Sequence, residues 1–257
     1  MNNSLVKNPS ALGLYSRREL IRFFGAAASA ALIGCKHRRP RVGDPNSISP
    51  SQAFAAELPA CVARPAQTEG PYFVDEKLNR SDIRLEPGDG SFKPGVPLRL
   101  EFQVSRIEER SCNPLVGAIV DVWHCDAMGI YSDVRDVGFD TQGKKFLRGY
   151  QATNSSGLAE FMTIYPGWYS GRAVHIHFKI RTSPGSQRGQ EFTSQIYFDE
   201  TLTDKIYSQL PYNKKGPRNT MNDADAIFRD GGKKLIPAFS RDGEGYSAKF
   251  AIGLRLS

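Results

Sequence analysis

The chain of 257 residues contains no CxxC pair, and past residue 56 it has no heptad run, no internal repeat and no low-complexity segment. A zinc ribbon, a dithiol redox motif, a coiled coil and a repeat solenoid are thereby excluded. Nor is there a long hydrophobic run: the uncharged stretch at residues 23–34 falls short of the roughly twenty residues that a bilayer-spanning helix needs. Charge of one sign is scarce where it would matter. The net charge is +7, yet residues 1–35 hold four basic and one acidic side chain and residues 36–55 again four and one, so residues 56–257 carry only +1. The basic excess thus gives no support to nucleic-acid binding. With 40% apolar and 24% charged residues, the composition is that of an ordinary globular protein and excludes wholesale disorder.

The first 35 residues have the shape of a cleavable leader, in which a charged stretch precedes a short apolar one. Arg17-Arg18 resembles a twin-arginine export signal, and Leu32-Ile33-Gly34-Cys35 resembles a lipobox, whose cysteine is lipidated and becomes the first residue. Residues 36–60 read as a solvated tether. The expectation is an exported protein in the bacterial periplasm or at the cell surface, held to the membrane only by a lipid anchor at Cys35. Of four cysteines, Cys61, Cys112 and Cys125 then remain for an oxidising compartment. That number predicts one disulfide and one free thiol, with the pairing open.

Residues 61–257 read as a single all-β domain, a sandwich of mostly antiparallel strands with one or two short helices. Strand-like runs recur at residues 98–107, 118–125, 148–152, 159–164, 174–181, 192–198 and 246–254 between turn signals such as Asn154-Ser155-Ser156-Gly157. Leu98, Leu100, Phe102 and Val104 alternate with Arg99, Glu101 and Gln103, the pattern of a half-buried strand. Helical candidates are confined to residues 199–209 and 223–228.

His175-Ile176-His177 holds half of the protein's four histidines within one strand-like run, and a period of two puts both imidazoles on one face, within reach of one metal ion. Around it stand Thr68-Glu69-Gly70-Pro71-Tyr72, a segment at 123–132 ending in Gly129-Ile130-Tyr131-Ser132, Tyr165-Pro166, Arg172 and Gln195. Their order and separation resemble the intradiol ring-cleaving catechol dioxygenases, over roughly residues 61–254. The resemblance implies one Fe(III) per chain held by Tyr131, Tyr165, His175 and His177, with Tyr165 as the tyrosinate that accepts a substrate proton. It places Arg172 and Gln195 beside the bound ring as catalytic and substrate-binding residues, and Tyr72 at the mouth as a substrate contact. The implied partners are a small-molecule catechol and O2, and the implied product is a muconate-type diacid.

Hard phenolate ligands favour Fe(III), which a soft thiolate would not, so Cys125 is left off the metal. Tyr169 is the nearest rival to Tyr165, but proline follows Tyr165, as in the family pattern. His124 and Asp126 read as structural, the latter in a turn. Cytoplasmic members of the family carry a helical N-terminal dimerisation region, for which residues 36–60 are too few and too polar; the resemblance is therefore to an exported, single-domain branch, and a homo-oligomer stays open. A non-catalytic, surface-anchored sandwich that binds aromatics or carbohydrate is the competing reading, and an extradiol enzyme would need two histidines and a carboxylate. The leader makes a direct prediction: Cys35→Ser moves the exported protein from the membrane fraction to the soluble fraction, as read by fractionation and immunoblot.

Overall fold

The computed structural model describes residues 62–109, 111–182 and 189–256, so the leader, the tether and Cys35 lie outside the described residues. Among the described residues there are eleven strands: β1 (Pro97–Ile107), β2 (Cys112–Pro114), β3 (Ile119–Trp123), β4 (Arg135–Asp136), β5 (Phe139–Asp140), β6 (Arg148–Ala152), β7 (Leu158–Ile164), β8 (His175–Arg181), β9 (Glu191–Tyr197), β10 (Phe239–Asp242) and β11 (Gly245–Leu254). Two short α-helices, α1 (Glu200–Tyr207) and α2 (Ala226–Arg229), follow the asparagine-and-aspartate logic of helix starts: Asp199 accepts from Leu202 N and Asp225 from Ile227 N. All seven expected strands and both helices occur, with ends shifted by up to three residues. The four unforeseen strands span two to four residues each, too few to show a period.

Nine of these strands form two layers, and β4 and β5 pair with each other in a separate two-stranded sheet. In the first, β10, β11 and β1 are neighbours, and the far edge of β1 is shared by β7 along residues 97–103 and β2 along residues 105–107. β1 and β11 run parallel, from Leu98 opposite Tyr246 to Arg106 opposite Leu254, an exception in a mostly antiparallel fold. The second layer has the order β6-β3-β8-β9, antiparallel throughout. Leu98, Leu100, Phe102 and Val104 are fully buried, as their alternation predicts. Phe102 joins the layers, with ring centroids 5.2 Å from Phe178 of β8 and 5.9 Å from Phe250 of β11.

β8 is buried on both faces. Ile176, Phe178 and Ile180 point into the core between the layers, so His175, His177 and Lys179 must lie on the outer face of the second sheet, and they too are buried. Their cover is the segment 68–75. Glu69 pairs with Lys179, whose ammonium sits 4.1 Å from the centre of the Phe73 ring, and Asp75 pairs with Arg181 at 3.3 Å. The Tyr72 carbonyl accepts from Arg148 Nη1 at 2.6 Å. Cys112 is disulfide-bonded, and Cys125 is a buried free thiol. Because Phe102 is the shared contact of both layers, Phe102→Ala is expected to lower stability by about 3–5 kcal/mol, measured by urea unfolding at unchanged m.

Candidate metal centre

The outer face of the second sheet carries the site, and strand register sets it. Trp123 stands opposite His177 and His177 opposite Gln195, while His175 faces Tyr197. The Nε2 atoms of His175 and His177 approach to 3.0 Å with ring planes at 82°. His175 Nδ1 donates to the Ala173 carbonyl at 2.6 Å, which leaves the Nε2 lone pair facing the site. Trp123 stacks on the His177 ring, with centroids 5.0 Å apart and planes within 7°. Burial, and then the Arg172 charge, hold His175 down to about 3, and burial with the neighbouring His175 holds His177 well below the usual range. Both imidazoles are therefore neutral donors at neutral pH.

Two tyrosines face these imidazoles from two loops. Tyr131 ends the turn after β3, where Asp126 Oδ1 accepts from the Met128 and Ile130 N–H groups and Gly129 takes a left-handed φ of 81°. Tyr169 comes from the loop that precedes β8, and its hydroxyl donates to His175 Nε2 at 3.2 Å. The two tyrosine rings lie 5.8 Å apart. The loops cross in backbone contact: Gly167 N donates to the Asp126 carbonyl at 3.1 Å, and Lys215 Nζ donates to the carbonyls of Met128 and Trp168 at 2.6 and 2.5 Å. A side chain at either glycine would collide, since a Cβ on Gly129 would sit 2.2 Å from the Trp168 oxygen and one on Gly167 2.4 Å from the Asp126 oxygen.

The expected ligand Tyr165 is not among them. It belongs to the main core, where its ring lies 4.4 Å from Phe198 and its hydroxyl donates to Thr203 Oγ1 at 2.7 Å, whose own proton goes to the Asp199 carbonyl. Its N–H and C=O are also engaged, by Val96 O and the Tyr212 hydroxyl. The reason is β-sheet periodicity. Ala159, Phe161, Thr163 and Tyr165 alternate onto one buried face, so Tyr165 completes the inward row of β7. The proline that follows it marks the exit from the strand, and Pro166-Gly167 carries the chain over to the second layer, where Tyr169, not Tyr165, stands beside the histidines.

The structure brings Arg172, Gln195 and Tyr72 beside these side chains. Arg172 Nη1 lies 3.4 Å from His175 Nε2, and Nη2 donates to Gln195 Oε1. Gln195 is fully buried, with Nε2 donating to the Thr68 carbonyl at 3.1 Å. Tyr72 stacks on Tyr131 at 4.5 Å, and its hydroxyl donates to Asp136. His124 is structural, bonded to the Cys125 carbonyl and to Thr163 Oγ1, and Asp126 organises its turn. Sequence reasoning missed Asp225, whose carboxylate accepts from Arg172 Nε at 2.9 Å, and Tyr197, whose hydroxyl donates to Gln195 Oε1 at 2.9 Å. Tyr197 is signalled by its period of two with Gln195; Asp225, fifty residues from the histidines, is signalled only by its place before a short helix.

The donor set fits a hard trivalent cation. Tyr131 is buried with a hydroxyl that has no hydrogen-bond partner, and His177 Nδ1 is also unpartnered. Such buried polar atoms are costly. Burial, with Tyr169 adding to it, raises Tyr131 well above the ordinary phenol value, and burial pushes Tyr169 up to about 12. Only a strong positive charge placed between the phenols and imidazoles would draw them to the anionic form. Among the described residues no group of three or more His, Cys, Asp or Glu side chains gathers, so the two-histidine, one-carboxylate arrangement does not form there.

A dioxygenase family model matches residues 68–216, more than half of the chain and a span that includes all four of these side chains. The chain is similar to an intradiol ring-cleavage dioxygenase from Tetranychus urticae, with 31% identity and a TM-score of 0.66 over 76% of this chain and 95% of that one. It is similar, too, to the dioxygenase domain of a dioxygenase carbohydrate-binding protein fusion from Streptomyces sp. SirexAA-E, with 30% identity, a TM-score of 0.53 and coverage of 76% and 100%. With the chlorocatechol 1,2-dioxygenase of Pseudomonas sp. (strain P51) it shares 31% identity over 152 residues, 53% of this chain and 56% of that one. The chain belongs to the intradiol ring-cleavage dioxygenase family. It spans about half the length of the curated relatives it matches.

Gly129→Ala tests the loop crossing. It is expected to destabilise the protein by about 1–3 kcal/mol through the positive φ and the contact with Trp168, measured as a lowered melting temperature.

Proposed function

We propose that this protein is an exported, non-haem Fe(III) dioxygenase that opens catechol-type rings between the two hydroxylated carbons, adding both atoms of O2 to give a muconate-type diacid. The observation that carries this reading is the meeting of Tyr131, Tyr169, His175 and His177 at one buried point. One Fe(III) per chain would be held by these four side chains and would supply the Lewis acidity that binds a catecholate and makes its ring reactive towards O2.

The chain's own residues have separable tasks. Tyr169, whose hydroxyl donates a hydrogen bond to His175 Nε2 at 3.2 Å, would hold or pass on a substrate proton at its phenolic oxygen. The Arg172 guanidinium, beside His175, faces the negative charge that develops on the ring, and Gln195 keeps it there. Tyr72 lines the mouth. Trp123, Cys125 and Tyr131 form an apolar cluster with Tyr72, Phe73 and Tyr169 that excludes water from the imidazoles. Export rests on the leader sequence, with lipidation at Cys35 as the anchor, and the disulfide at Cys112 suits an oxidising compartment.

Purified protein loaded with Fe(III) is expected to show a visible tyrosinate charge-transfer band and to consume one O2 per catechol, with a ring-opened diacid identified by mass spectrometry. Tyr131→Phe and Tyr169→Phe each shift or abolish the band, whereas Tyr165→Phe preserves it. A colourless loaded protein, or catechol binding with no oxygen uptake, overturns the enzyme reading in favour of a binding sandwich. A band lost in Tyr165→Phe and intact in Tyr169→Phe reverses the ligand assignment.

A further inference from the structure

We infer that Asp225 is the positioning residue for Arg172, holding the guanidinium in the one orientation that presents its charge to the site. The inference rests on the ring-cleavage reading and concerns a residue that contacts neither the four donors nor a substrate. Asp225 is almost fully buried and takes up four N–H groups with one carboxylate. Oδ1 accepts from the Ile227 and Phe228 N–H groups at 2.8 and 3.4 Å, capping α2. Oδ2 accepts from Arg172 Nε and from the Ala173 N–H, both at 2.9 Å.

A helix cap uses one oxygen, and serine or asparagine performs it equally well. What a cap does not explain is the second oxygen. Through it Asp225 ties the Arg172 side chain at Nε and the main chain one residue on. A guanidinium is a planar fork, so fixing Nε and the following peptide fixes where both Nη atoms point. Nη1 then lies 3.4 Å from His175 Nε2, while Nη2 reaches Gln195 Oε1 and, at 3.4 Å, the Tyr197 hydroxyl. Burial alone would raise the Asp225 carboxyl, but the Ala173 N–H and the Arg172 charge outweigh it and hold it below the usual carboxylate range. The pair is therefore an anion and a cation, each of which would be left uncompensated in the interior by loss of the other.

Asp225→Ser and Asp225→Asn both keep a capping side chain while removing the charged clamp. Both are expected to remain folded by circular dichroism and, loaded with Fe(III), to keep the resting colour of the wild type, with kcat on catechol reduced roughly tenfold to a hundredfold. In an Arg172→Gln background, either substitution should cause little further loss of kcat; losses that multiply would show that Asp225 acts independently of Arg172 and would overturn the assignment. A second readout needs neither metal nor turnover. In the metal-free protein the Arg172 Nε–H resonance should exchange slowly with solvent, and in Asp225→Ser that protection should vanish; protection retained in the variant overturns the assignment. If the wild type consumes no oxygen with any catechol, the ring-cleavage reading fails while the exchange experiment still decides the role of Asp225.

Discussion

A strand buried on both faces must satisfy its polar side chains within the protein, because water reaches neither side. β8 is under that constraint. Its odd positions, His175, His177 and Lys179, cannot turn inward without evicting Ile176, Phe178 and Ile180 from the core, since a slip of one residue would exchange the two faces. The core therefore dictates that two imidazoles stand side by side on the outer face. Everything laid over them, the 68–75 segment with its Glu69 and Asp75 ion pairs and the two tyrosine loops, serves to enclose them.

Enclosure has an electrostatic result. Neutral imidazoles, an orphaned phenol and a second phenol bonded to an imidazole make a pocket rich in electron pairs and short of positive charge. Arg172 supplies one unit at the edge, itself balanced by Asp225. The centre is left with donors that would be anionic only next to a cation, which is the polarity a ferric site requires. The glycines at 129 and 167 and the lysine at 215 contribute by letting two loops touch through their backbones, which sets how near the two phenols come.

Much of this was legible in the sequence. Leu98 to Val104 declared a half-buried strand, His175 and His177 declared a shared face, and Gly129 announced the turn that presents Tyr131. The proline after Tyr165 points to that tyrosine as a ligand, whereas the alternation of Ala159, Phe161 and Thr163 directs it to the core. The parallel pairing of β1 with β11 and the reach of Asp225 to Arg172 were out of view for a different reason. Both join residues far apart along the chain, and no local pattern encodes which distant partners meet.

The parallel ladder of β1 and β11 also bears on how the molecule is made. β1, the strand that brings Phe102 to both layers, has as one neighbour β11, far along the chain, with Leu98 aligned to Tyr246. During synthesis that edge of β1 stays open until β11 has left the ribosome, so the first sheet cannot close in sequence order. Contacts of such long range slow folding and expose unpaired backbone in the interval.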